Sequence, residues 1–180
     1  MSAVNISSDL TPKARLALTA ILAIYGVLVI LSPGHYGIID SIDLAIHEAG
    51  HVFFGPFGEF VGFLGGTLFQ LIVPITFFGY FVHRGNRYAG SVLLWWLAQN
   101  LWNISVYVKD ARALELPLVG GGEHDWAYLL GELGLLHRDQ GIGDAIFATG
   151  VLIFIVSIAL GFLRASDKPN ESERGQHGVS

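Results

Sequence analysis

Between Leu16 and Leu31 the chain carries no charged side chain, and uncharged runs of similar length recur over 67–82 and 145–163. Such runs approach the ~20 residues that an α-helix needs to cross a bilayer. In lipid every backbone N–H and C=O must find an internal partner, so spanning segments are helices or closed barrels, and runs this long suit helices. Composition agrees: 52% of the 180 residues are hydrophobic and only 14% are charged, where a soluble domain has about a quarter charged. The sequence therefore predicts an all-α, multi-pass integral membrane protein. Its single helical membrane domain covers 1–164, with five spans near 16–32, 38–55, 67–82, 88–108 and 145–163, and a disordered polar tail follows over 165–180. In a bacterium such a chain would sit in the cell membrane. Lys13 and Arg15 precede the first run, but no small-x-small cleavage pattern follows Leu31, which favours an uncleaved first span over a signal peptide. With five spans, the ten basic residues divide equally between the two sides, so charge bias assigns no orientation.

Within the second predicted span stand His47-Glu48-Ala49-Gly50-His51, an H-E-x-x-H pattern flanked by Ile42, Leu44 and Ile46 before it and Val52, Phe53 and Phe54 after it. On a helix, residues four apart share a face, so both imidazoles can reach one zinc ion while Glu48 stands beside an open position as general base for a water. Ionisable groups in a membrane segment are costly without partners and mark function more often than packing. Asp40, Asp43, His47 and His51 fall at offsets of 0, 3, 7 and 11 and share one helical face. Asp43 can orient His47 from behind; alternatively Asp40 is an N-cap and Asp43 a favourable first-turn acid.

The stretch 57–66 holds four glycines among aromatic and aliphatic residues. It reads as a re-entrant loop, as a close approach of two backbones, or as a tight helix–helix turn with small packing residues. The following span is interrupted by Pro74, where a kink is expected. The fourth span carries Gln99, Asn103, Tyr107 and Asp110 at spacings of 4, 4 and 3, a polar face if the helix is unbroken. Ile104–Val108 is rich in β-branched residues and is compatible with extended backbone. Beyond it, Gly120-Gly121-Gly122 leads to Glu123-His124-Asp125, and Trp126, Leu129, Leu130, Leu133 and Leu136 keep the spacing of a short amphipathic helix capped by Asp125.

A hydrolytic zinc site needs a third protein ligand. The chain has no cysteine, so nitrogen and oxygen donors must supply it. Asp110 is the leading candidate, with His124 or Asp125 as alternatives. His35, His83 and His137 lie near span ends or loops and rank below these. Depth complicates Asp110: it sits at the far end of its span, whereas His47 sits midway along its own. Asp110 reaches the metal only if the chain unwinds after Asn103 or the fourth span sits high; otherwise the glycine-rich loop must fold inward and bring His124 or Asp125.

Over residues 40–112 the chain resembles the site-2 protease family of intramembrane zinc metalloproteases. The likeness rests on His47-Glu48-Ala49-Gly50-His51 in an apolar helix, the glycine-rich stretch behind it, and a later span in which Asn103 precedes Asp110 by seven. In that family the corresponding acid is followed by glycine in a segment containing proline; here Ala111 follows Asp110 and no proline intervenes. The resemblance implies zinc as cofactor, Glu48 as catalytic base, Asn103 as a residue supporting the centre, and a membrane-anchored peptide or protein as substrate, cut within or next to the bilayer. The competing expectation is a non-catalytic membrane protein, a metal transporter or an assembly factor, that uses His47 and His51 for metal or for packing. The net charge of −5 supplies no basic surface for nucleic acid, and seven scattered histidines do not make a histidine-box oxygenase.

Overall fold

The computed structural model describes residues 10–118 and 122–167. Every regular element among these residues is helical, with no strand: α1 (Pro12–Leu31), α2 (Ile38–Phe54), α3 (Glu59–His83), α4 (Arg87–Lys109), α5 (Asp125–Glu132) and α6 (Asp139–Arg164). Short 3₁₀ turns at Gly55–Phe57 and Leu136–Arg138 join α2 to α3 and lead into α6. Three helical segments, Pro12–Leu31, Glu59–His83 and Leu136–Arg164, are long and apolar enough to cross a membrane.

Local chemistry sets the helix ends. Pro12 opens α1 behind Thr11, whose hydroxyl accepts from the Ala14 N–H at 3.3 Å, a proline in the first turn costing no helical hydrogen bond. The Asn86 side chain starts α4 by accepting from the Ala89 N–H at 3.0 Å. At α2 the cap is Gly37, and Asp40, three residues in, accepts from the Gly37 N–H at 2.7 Å. Asp40 is thus the acid of the first turn and not the N-cap. Similarly, α5 is capped by His124, whose Nδ1 accepts from the Ala127 N–H at 3.2 Å, and Asp125 is its first helical residue. This corrects the expected Asp125 cap and frees that carboxylate for other work. Gly134, at φ +66°, lets the chain turn away after α5, a conformation that costs a glycine little.

Two further expectations are corrected. Residues 59–66 are the first turns of an unbroken α3 that runs on through Pro74, so 57–66 is not a re-entrant loop, and of the expected alternatives the close approach of small packing residues is the one found. The glycines are there for contact: Gly65 faces Gly50, and a Cβ on Gly50 would meet the Gly65 carbonyl oxygen at 2.3 Å. Small residues at such a crossing let two backbones approach closely. Residues 104–108 are likewise helical, because α4 is buried along most of its length and packs chiefly on α6 and α3. In that setting tertiary packing overrides β-propensity.

Trp95, Ala98 and Trp102 of α4 meet Phe154 of α6 in one apolar cluster; Ile104, Val108 and Ala111 meet Leu130 of α5 in a second. The second cluster fastens α5 to the bundle. Helix α6 begins at Asp139, ahead of the expected 145, because polar contacts hold its first turn: Arg112 pairs with buried Asp139 at 2.7 Å and Lys109 with Asp144 at 2.6 Å. Of the expected tail, Ala165–Asp167 is tied back to α1 by the Arg15 Nη1–H donating to the Asp167 carbonyl at 2.9 Å; the rest of it, from 168, lies outside the described residues, as do 119–121.

Candidate metal centre

The centre is built where α2, α3 and α5 meet. On α2, His47 and His51 stand one turn apart with ring centroids 4.7 Å from each other. Asp125, at the start of α5, turns its carboxylate toward both: Oδ2 lies 2.9 Å from His47 Nε2 and 3.2 Å from His51 Nε2. Among the described residues these three form the group able to hold a metal ion.

The hydrogen-bond network behind the rings determines where their protons sit. The Asp40 carboxylate is an acceptor only, and its Oδ1 receives the amide groups of Gln99 at 2.8 Å and Asn103 at 3.2 Å. Asn103 therefore turns its carbonyl oxygen to Gln70, whose amide donates to it at 3.0 Å. Gln70 must then present its own oxygen to His47, where Oε1 accepts from Nδ1–H at 3.2 Å. For His51, the Gly62 carbonyl accepts from Nδ1–H at 2.8 Å. A neutral imidazole carries one N–H, so both Nε2 atoms present lone pairs toward the Asp125 carboxylate. Three acceptors with no hydrogen among them repel unless a cation or an extra proton intervenes. The 2.9–3.2 Å separations approach the ~3.3 Å expected between neighbouring ligand atoms around a tetrahedral ion with bonds of about 2.0–2.1 Å. Gly66 on α3 completes the cradle: a Cβ there would lie 2.5 Å from His47 Nε2 and 2.7 Å from His51 Nε2.

In the alternative, metal-free case where an extra proton sits between the rings and the carboxylate, burial raises the Asp125 carboxyl, but the hydrogen bonds and charge of protonated His47 and His51 more than offset this and hold it below the usual carboxylate range. Burial also holds the neighbouring His124 imidazole below its ordinary value, against the opposing pull of Asp110 and Asp125.

The other expected site residues lie as follows. Asp110 does not join the group: its carboxylate accepts from the Glu115 and Leu116 N–H groups at 3.0 and 3.1 Å and faces His124 Nε2 at 3.3 Å. Helix α4 does not unwind after Asn103, so Asp110 stays at the helix end as a cap for the following turn. His124 caps α5 and does not turn toward the α2 histidines. Asp43 is fully buried but accepts from the Trp96 indole at 2.8 Å; the residue behind His47 is Gln70, with Asn103 one step further back. Glu48 is half-buried and lines the same cavity as His47, His51 and Asp125, a space of about 930 Å³ bounded also by Tyr107 and Phe63.

Gln70, Gly62 and Gly66 were not singled out by the sequence as parts of the site. The signal was present: Gln70 is the only polar amide in an apolar run, and Gly62, Gly66 and Gln70 follow at intervals of four on one helical face. Comparison with family models, with characterised proteins and with solved structures yields no match; the functional reading rests on the site itself.

Proposed function

We propose that this chain is a multi-pass membrane zinc peptidase, similar to the site-2 proteases, that hydrolyses a membrane-anchored peptide or protein within or next to the bilayer. The observation that carries the reading is the convergence of two imidazole lone pairs and one carboxylate beside a cavity whose wall bears a separate acid, Glu48. Two nitrogens and one oxygen from the protein, with room for a further ligand, match the donor set of hydrolytic zinc, whereas a purely structural zinc is closed by four protein ligands.

In this reading α2 and α4 lie in the bilayer with α1, α3 and α6, giving five spans. Supporting it, α2 leaves Ile38, Val52 and Phe53 at least 60% exposed, and α1 and α6 expose Ile24, Leu31, Leu152 and Leu163, a surface suited to lipid rather than water.

Zinc held by His47, His51 and Asp125 would supply Lewis acidity, polarising a peptide carbonyl and acidifying a water. The remaining work belongs to the chain. Glu48 accepts the water's proton as its oxygen bonds to the carbonyl carbon, then delivers that proton to the departing amine as the C–N bond breaks. Gln70 and the Gly62 carbonyl keep both histidines in the ligating tautomer throughout. The enclosing helices limit competing water.

The deciding experiment is Glu48→Gln, which keeps size but cannot accept the proton. The variant is expected to fold, to retain one zinc per chain, and to cleave membrane-anchored test substrates about 10²–10⁴-fold more slowly than the wild type. Wild-type cleavage by Glu48→Gln refutes the mechanism. Zinc bound by both proteins with no cleavage by either, across a broad panel of transmembrane substrates, favours a metal-holding protein instead.

A further inference from the structure

Hydrolysis of a peptide bond places negative charge on the carbonyl oxygen, and a site that accelerates it benefits from a fixed donor aimed at that charge. Tyr107 of α4 fits this need. Its ring is clamped between two histidines: it lies 4.2 Å from the His124 ring and 5.9 Å, edge-on, from that of His47. Its hydroxyl oxygen accepts from the Asp125 N–H at 3.3 Å, which places it beside the residue whose carboxylate completes the metal group. The same side chain lines the cavity across which Glu48 stands. The other cavity amides are already committed, Asn103 to Asp40 and Gln70 to Asn103.

We propose, building on the peptidase reading, that Tyr107 is a catalytic residue whose O–H donates to the carbonyl oxygen of the substrate as that oxygen becomes negative. The hydrogen stays on Tyr107; water's oxygen bonds to carbon, the π electrons move to the carbonyl oxygen, and Glu48 holds the proton. Two acceptors can compete for the hydroxyl hydrogen, the substrate oxygen and the carboxylate of Asp125, whose backbone N–H lies 3.3 Å from the hydroxyl. A cation held by His47, His51 and Asp125 would withdraw electron density from that carboxylate, which would leave the growing oxyanion the better acceptor. The Asp125 N–H, donating to the hydroxyl oxygen, strengthens the O–H as a donor through cooperative polarisation.

The test uses the full-length protein in detergent, loaded with Co²⁺, whose d–d absorption reports the coordination sphere, and titrated with acetohydroxamate as an anionic carbonyl probe. Tyr107→Phe keeps the ring and its contact with His124 while removing the hydroxyl. The expected result is unchanged Co²⁺ affinity with acetohydroxamate binding weakened about 10- to 100-fold, the loss of one hydrogen bond to a charged oxygen. A fall of tenfold or more in Co²⁺ affinity overturns the proposal, because Tyr107 then acts by placing Asp125. Unchanged affinity for both Co²⁺ and acetohydroxamate also overturns it, while leaving the peptidase reading intact. A wild-type protein that takes up no Co²⁺ removes the metal centre and the Tyr107 role together.

Discussion

Gly66→Ala adds one methyl group at the most crowded point of the centre. The new Cβ would lie 2.5 Å from His47 Nε2, 2.6 Å from its Cε1 and 2.7 Å from His51 Nε2, where ordinary contacts begin near 3.4 Å. Each imidazole must therefore retreat by roughly 1 Å to restore normal contact. Neither has easy room to do so, because Gln70 and the Gly62 carbonyl hold the opposite ring nitrogens. Metal sites tolerate ligand displacements of only about 0.2 Å, so the shift is several times what zinc accepts. Metal affinity should fall at least about 100-fold, the upper end of what losing an orienting partner costs. The fold should survive, since alanine is the better helix former by about 1 kcal/mol. Competition with a chelator measures affinity, and far-UV circular dichroism reports the helices. Gly79→Ala on the same helix is the control, because nothing lies within 4 Å of its added Cβ, and it should bind metal normally. A Gly66→Ala protein with wild-type zinc affinity and unchanged helicity would refute the geometry of the cradle.

Other substitutions separate ligand from support. Asp125→Asn should abolish stoichiometric zinc, whereas Asp110→Asn should retain it and only loosen the turn at Glu115 and Leu116; the reverse pattern in metal analysis would restore Asp110 as the third ligand. Gln70→Leu removes the acceptor behind His47 and should lower zinc affinity about 10- to 100-fold, a loss readable by chelator competition and absent if another group fixes the ring. Acid should release zinc. The Asp125 carboxyl is held below its ordinary value, so its contribution persists as pH falls through the usual carboxylate range and disappears only below it. Zinc ligation needs deprotonated imidazole, so acid should compete the metal away from the two histidines; zinc retained undiminished at pH 4.5 would contradict histidine ligation.

Determined by the sequence alone were those features that depend on neighbours along the chain. Helical class follows from long uncharged apolar runs, whose backbone groups are satisfied internally when they form helices. The pairing of His47 with His51, and the place of Glu48 beside them, follow from a spacing of four and would hold on any helix. Helices stand at Ile38–Phe54 and Arg87–Lys109, where spans were expected at 38–55 and 88–108, but among the described residues the segments long and apolar enough to cross a membrane are Pro12–Leu31, Glu59–His83 and Leu136–Arg164.

The tertiary structure decided what distant segments do to one another. Glycine content over 57–66 shows that something approaches closely, but not whether the chain bends or a neighbour packs against it. Only the crossing of α2 on α3 makes Gly65 a contact for Gly50 and Gly66 the floor of the centre. Which donor joins His47 and His51 was undecidable for a similar reason. Asp110, His124 and Asp125 all bear suitable donors, and the choice depends on whether α4 unwinds or the following loop folds back. Helix α4 persists to Lys109 because its faces are buried against α3 and α6. The apolar contact of Leu130 with Ile104, Val108 and Ala111 then returns α5 to the bundle and carries Asp125 to the two histidines, 78 residues along the chain from His47. A spacing rule reaches only a few residues, whereas a docked helix face brings together groups at any separation in sequence.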